Sequence, residues 1–382
     1  MKQIIFILLL FFTSHVFSYP NFIGHKYSSC INCHYNPFGG GQLTDYGRGT
    51  SATLISSRSF YPKGWSDEKI SESSGFLFRK NTQTWFRPQL NYRGFRIVEN
   101  PNGSREKIRW ITMQEDARIT LKFGENDKLI FSGDYGRMPE LKAPPPGTDS
   151  RKYRSRNLFV GYRFNSKLGI YTGLMDKVYG LRVVEHTSYS RINPLVTMND
   201  QTYGAAIHFS DSEWEGGIHG FIGNTNQENQ YRQKGISTMF EKNILDLHRI
   251  GASLMTSKSD NLTLQSISIH GRFNFKDGSA LLTELGQTIR TGHNDTSSAT
   301  SQFGLIQAYV RPFRGLYLLT NVDYNKADIS ESPFTVRWGP AVQYFPIQRV
   351  ELRADIYDTR NFSNVTATKD SWSYLLQTHL WF

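Results

Sequence analysis

The chain is poor in cysteine, in acid and in long apolar runs, and each shortage closes off a class of protein. Only two cysteines occur in 382 residues, Cys30 and Cys33. An internal disulfide would have to close a C-x-x-C loop, which is small, strained and usually redox-active rather than structural. Beyond the first eighteen residues no stretch approaches the roughly 20 apolar residues of a spanning helix, and hydrophobic residues make up only 38% of the chain. That is too polar for a helical membrane protein. A carboxylate pair, a Ser/His/Asp order and a phosphate loop are all missing, so no residue is assigned as catalytic and an enzyme is disfavoured. Acidic residues number 33 against 44 Lys and Arg, a net charge of +11. The surplus suits anionic partners, but no nucleic-acid recognition motif accompanies it and nucleic acid is not expected.

What is present begins with an export signal. Lys2 supplies a positive start, Ile4 to Phe12 a short apolar stretch, and Val16 and Ser18 the small positions before a cut, so residues 1–18 read as a signal peptide. Close behind stands Cys30-Ile31-Asn32-Cys33-His34. C-x-x-C-H is the attachment spacing of c-type haem: two thiols add to the porphyrin vinyl groups and the next histidine coordinates iron. A thioredoxin-like site would need a βαβ context, which is absent. A structural zinc site would need four ligands, with His25 as the only nearby fourth. The following Tyr35-Asn36-Pro37-Phe38-Gly39-Gly40-Gly41 fits backbone wrapped closely around a flat ligand, because glycine permits near approach. His34 is the proximal iron ligand by motif. His25 is the leading distal candidate, with His208 and His379 as alternatives. Residues 19–81 form this haem-binding segment, too small to be comfortably stable without a staple.

From residue 82 to 382 the chain reads as all-β. Sixteen segments of alternating polarity follow one another, and their connections alternate between short turns and long loops. The short ones include Gly124-Glu125-Asn126, Asn165-Ser166, Lys276-Asp277 and Pro346-Ile347; the long ones include the Pro144-Pro145-Pro146 loop and the stretch from Lys177 to Asn199. That alternation is the rule for an antiparallel transmembrane β-barrel, with short periplasmic turns and long outer loops. High aromatic content, 26 Phe, 20 Tyr and 7 Trp, agrees, since aromatics gather at both membrane interfaces. Strand periodicity sends Trp338, Pro340 and Val342 outward and Arg337, Gly339, Ala341 and Gln343 inward. The same sorting points Arg118, Arg272, Arg311, Arg337 and Arg353 into the lumen, as pore-lining groups that favour small anions or as partners of inward acids.

The final Leu380-Trp381-Phe382 resembles the C-terminal signature of bacterial outer-membrane β-barrel proteins, which implies an outer-membrane location with lipid around the wall. The Lys177 to Asn199 stretch resembles in position the infolded constriction loop of porins, with Arg182, Glu185, His186, Tyr189 and Arg191 on it; an exposed loop is the alternative. In arrangement the whole chain resembles porin-cytochrome systems that pass electrons across the outer membrane, implying periplasmic or extracellular redox proteins as partners. It departs from them in holding one haem motif, and one haem does not cover a wall about 25 Å tall. Porins of this strand number often form trimers, so the resemblance also implies a homotrimer. Three functions follow in order of expectation: electron transfer by one covalent haem c, an anion-preferring porin whose haem segment plugs, gates or senses redox state, and a haem peroxidase or reductase. The haem is expected at the periplasmic mouth or in the lumen.

Overall fold

The structure is a computed structural model. It describes residues 22–382 apart from 28, 83, 102–105, 140–150, 184, 186, 246–247, 276–277, 294–297 and 364–370. The signal peptide, the triple-proline loop and His186 lie outside the described residues.

Seventeen strand segments close into one antiparallel barrel. They are β1 (Phe86–Pro101), β2 (Lys107–Phe123), β3 (Leu129–Arg137), β4 (Tyr153–Arg154), β5 (Leu158–Arg163), β6 (Leu168–Met175), β7 (Thr202–Ser210), β8 (Trp214–Gly223) and β9 (Lys234–Ile244). The second half comprises β10 (His248–Lys258), β11 (Leu262–Phe275), β12 (Ser279–Gly292), β13 (Ser298–Phe313), β14 (Leu316–Lys326), β15 (Phe334–Tyr344), β16 (Val350–Phe362) and β17 (Ser371–Trp381). Because β4 and β5 both pair with β3, they are two pieces of one interrupted strand, and the barrel has sixteen staves. β1 closes on β17 in register from Asn91↔Trp381 to Pro101↔Ser371. No edge is left, which satisfies the backbone of every stave in an apolar surround.

The sixteen segments read from the sequence are the sixteen staves. The first begins at Phe86 rather than residue 82, and several run further at the long-loop end, as β1 to Pro101 and β16 to Phe362. There pairing continues after the apolar alternation has faded. The faces also agree: Trp338, Pro340 and Val342 are exposed on the outer wall while Gly339, Ala341 and Gln343 are buried inside. Ile207, Ile218, Ile236, Leu254, Ile267, Leu285 and Ile306 continue that apolar outer band. A continuous apolar belt of this size is covered by hydrocarbon in a stable protein. Among the described residues no helix is long and apolar enough to cross a membrane.

The chain itself occupies much of the barrel interior. The N-terminal segment sits inside the barrel at the short-turn end. Its helix α1 (Asp45–Thr50) is capped by Thr44, whose hydroxyl accepts from Gly47 N at 3.0 Å, and runs into a π-turn, Ser51–Ile55. A second helix, α2 (Asp67–Glu72), is capped by Ser66. Wall residues in the turns hold both: Arg314 donates to Ser56 O at 2.7 Å and Ala52 O at 3.0 Å, and Arg349 donates to Ser74 O and Gly75 O. Ile55 completes an apolar cluster with Tyr309, Tyr317, Leu319, Ala341 and Phe345 of the wall. Each such buried side chain contributes about 1.5–3 kcal/mol relative to exposure.

From the other end the stretch after β6 folds inward, so the constriction-loop reading is the observed one. Val178, Tyr179, Leu181 and Val183 are buried, and Ile23 of the plug packs with Leu181 and Val183. Gly180 N donates to Ser253 Oγ at 2.9 Å and Leu181 N to Glu284 Oε2 at 3.2 Å. A short helix, α3 (Tyr189–Ile192), follows, and Ser188 Oγ donates to Asp323 Oδ1 at 2.6 Å. Plug, loop and wall thus share one interior.

Candidate functional site: a cavity against the C-x-x-C-H turn

Cys30 to His34 makes one helical turn, with Cys33 N and His34 N both donating to Cys30 O at 3.2 and 3.0 Å. Three residues apart on a helical turn, the two thiols share a face. The chain then doubles back: Tyr35 N donates to Gln42 O, Thr44 N to Cys33 O, and His34 bridges Leu43. The reversal needs Gly39, Gly40 and Gly41, all at positive φ (86°, 71° and 69°). A β-carbon on Gly40 would also stand 3.1 Å from the Arg182 guanidinium carbon. The glycine run is therefore a structural requirement of the turn and of its contact with the infolded loop.

Both cysteines are free thiols. Burial pushes the Cys33 thiol up to about 12 and raises that of Cys30, which Arg272 opposes from 3.9 Å. Burial, reinforced by Arg182, pulls His34 down to about 4. Its imidazole is neutral at ordinary pH, the form in which histidine binds a metal. His34 Nδ1 is buried with no hydrogen-bond partner among the described residues.

These groups border a cavity of about 360 Å³ lying between plug, loop and wall, within the range of roughly 300–1,000 Å³ typical of small-molecule sites. Part of its lining is apolar: Phe22, Ile23, Ile55, Leu282, Phe345 and Trp381. The rest is strongly cationic, with Arg93, Arg118, Arg156, Arg182, Arg191 and Arg272 against Asp176, Glu215 and Glu241. Arg118 pairs with Asp134 at 2.7 Å, Arg272 with Glu241 and Arg182 with Asp176. Arg191 instead donates to the carbonyls of Val183 and Val196 at 2.9 and 2.8 Å, and burial beside Arg191 lowers Arg182 to about 9. An anion entering here finds donors already paid for in desolvation.

The residues singled out from the sequence divide. Cys30, Cys33, His34, Arg118, Arg272 and His379 all border the cavity. His25 points elsewhere, with its Nε2 2.9 Å from Arg311 Nη1, and His208, buried on the inner face of β7, stands back from the cavity, 3.2 Å from Glu215 Oε1 and packed on Phe38. Arg311 also reaches Leu54 O of the plug; Arg337 pairs with Asp323 at 2.5 Å and holds Thr187; Arg353 pairs with Asp355 at 2.6 Å. Those three brace plug or loop rather than border the cavity. Sequence reasoning missed Glu241 and Glu284, although strand alternation places both inward, and missed Arg156, which lies in the break between β4 and β5. Among the described residues no cluster of three or more His, Cys, Asp or Glu is arranged to hold a bare metal ion.

No protein-family model and no curated protein match this chain. Solved structures do. OmpT of Vibrio cholerae aligns with a TM-score of 0.60 at 9% identity, over 79% of this chain and 99% of its own. The anion-selective porin from Comamonas acidovorans gives 0.59 at 9% identity, over 78% and 99%. The outer membrane channel DcaP of Acinetobacter baumannii gives 0.56 at 10% identity, over 78% and 97%. At such identities the likeness is one of fold. The chain has the fold of a porin-like outer-membrane β-barrel.

Proposed function

We propose that this chain is an outer-membrane barrel that carries one covalent haem c in its plug and acts in electron transfer at or across that membrane. One observation carries the reading: the C-x-x-C-H turn is buried against a cavity that is apolar on one part and arginine-lined on the other. The donor set fits the group. A porphyrin is a flat apolar body with two carboxylates, and the lining offers Phe22, Ile55 and Trp381 to the first and Arg118 and Arg182 to the second.

Cys30 and Cys33 would hold the group as thioethers. Each thiol would add across a vinyl double bond, an S–C bond forming at the inner vinyl carbon and the thiol hydrogen passing to the terminal one, with no net redox change. His34, neutral through burial, would supply the proximal nitrogen. Iron so held supplies a one-electron couple. The chain's own residues would set positive charge near the carboxylates and hold the site toward the short-turn end, which is the periplasmic end by the barrel rule. With a wall about 25 Å tall, transfer to the far side requires a second carrier, so a redox protein is the expected partner.

The anion-porin alternative draws on the likeness to an anion-selective porin and on the lumen arginines. Against it, plug and loop take up much of the interior and most of those arginines are paired. OmpT has been solved in a trimer form, and a homotrimer is our proposal for the assembly. The test is expression in a host with cytochrome c maturation, extraction from the outer membrane, and pyridine haemochrome analysis together with bilayer conductance. One haem per chain and little current supports the reading. No covalent haem in the matured protein overturns it, and a steady anion current favours the porin.

A further inference from the structure

Among the described residues two histidines border the cavity, His34 and His379. We infer that His379 is the second axial ligand of the proposed haem and that Glu351 positions it; the inference rests on the haem reading above.

His379 lies on β17, where side-chain alternation turns it inward, and it is buried. Its Nδ1 is 3.0 Å from Glu351 Oε2. Glu351 is wholly buried, and its other oxygen accepts from Gln343 Nε2 at 2.7 Å and Gln377 Nε2 at 3.3 Å. A carboxylate so supplied with amide donors only accepts, so the imidazole proton sits on Nδ1 and the lone pair on Nε2. Arg93 Nη2, 3.2 Å from the same Nδ1, then contributes charge rather than a hydrogen bond to that nitrogen. Metal-ligating histidines are built this way, with the far ring nitrogen donating to a buried carboxylate that fixes tautomer and orientation.

The neighbouring rings narrow the choice further. Trp381 lies 4.8 Å from His379 between ring centroids and 6.3 Å from Phe345, and both border the cavity. Phe22, 6.4 Å from His34, packs on the same cluster. One aromatic wall therefore runs from His34 to His379. The other carboxylate-paired histidines, His208 with Glu215 and His270 with Glu241, present the carboxylates to the cavity and not their rings. His25 is turned to Arg311. Met198 and Met239 do border the cavity, but Met239 packs on the apolar cluster of Phe159 and Tyr171. They are the competitors that the experiment must separate.

The experiment is low-temperature EPR and visible spectroscopy of the oxidised, haem-loaded full chain, comparing wild type with H379A, H379G, H25A, M198L and M239L. Bis-histidine ligation gives a low-spin signal without a sulfur-to-iron charge-transfer band. The expected result is loss of that signal in H379A, its recovery on adding imidazole to H379G, and no change in H25A, M198L or M239L. Recovery by imidazole shows that the barrel has folded around the group. E351Q keeps the haem and the low-spin signal while raising the midpoint potential, because a less basic imidazole favours ferrous iron. A wild-type spectrum retained in H379A, or a charge-transfer band lost in either methionine variant, overturns the assignment and leaves the haem reading intact. A matured wild type without haem overturns both.

Discussion

Two parts of the interior use arginine in opposite ways. Beneath the infolded loop, Arg337 meets Asp323 and Arg353 meets Asp355, with Glu185 3.7 Å from Arg353 and the Tyr357 hydroxyl donating to Glu185 at 3.1 Å. Each cation there has a carboxylate of its own. Around the C-x-x-C-H turn, arginines outnumber acids and Arg191 and Arg156 bond to neutral oxygens, Arg156 to Asn199 at 3.3 Å. A buried pair whose charges cancel works as a brace. A buried surplus is costly by itself, a cost that a bound anion would offset.

The contrast can be broken in graded steps. The largest effect is expected from C30S/C33S, which removes both attachment points; covalent haem falls to background in the pyridine haemochrome assay, while the barrel still shows heat-modifiable migration. Next, D323N strands Arg337 in the balanced region and lowers stability by about 3–5 kcal/mol, read from urea unfolding in detergent. The same measurement on R191Q, in the surplus region, where the guanidinium donates to the carbonyls of Val183 and Val196, shows a much smaller loss. In loaded protein, R182Q lowers the midpoint potential, because removing a cation near the haem favours the oxidised state. Gly40→Ala forces a side chain into positive φ against Arg182 and costs about 1–2 kcal/mol. Smallest in stability but visible in current, R349Q releases the carbonyls of Ser74 and Gly75 and raises anion conductance in planar bilayers; unchanged current would show that the plug is held without that anchor.

Legibility follows the same division. The staves were readable because lipid on one side and protein on the other impose a two-residue period, and Ile267 or Trp338 can satisfy it in only one way. Arg118 was readable as inward, but its partner Asp134 depends on the register of β2 with β3. The plug has no period to read. His25 stood nearest to the motif in sequence, yet its ring is committed to Arg311 from β13, while His379 is brought to the cavity by barrel closure. The infolded loop did leave a trace: Val178, Tyr179, Leu181 and Val183 are too apolar for a stretch exposed to water, and they are buried.

The seam between β1 and β17 sets an order of events for assembly. The N-terminal segment lies inside a ring whose last join is made by the strand immediately after it and the last strand of the chain. Cargo attached while the chain is still open in transit is enclosed as the ring shuts. For the haem proposed above, a group arriving afterwards would meet a closed ring with the N-terminal segment already inside it, so loading before insertion is the expected order.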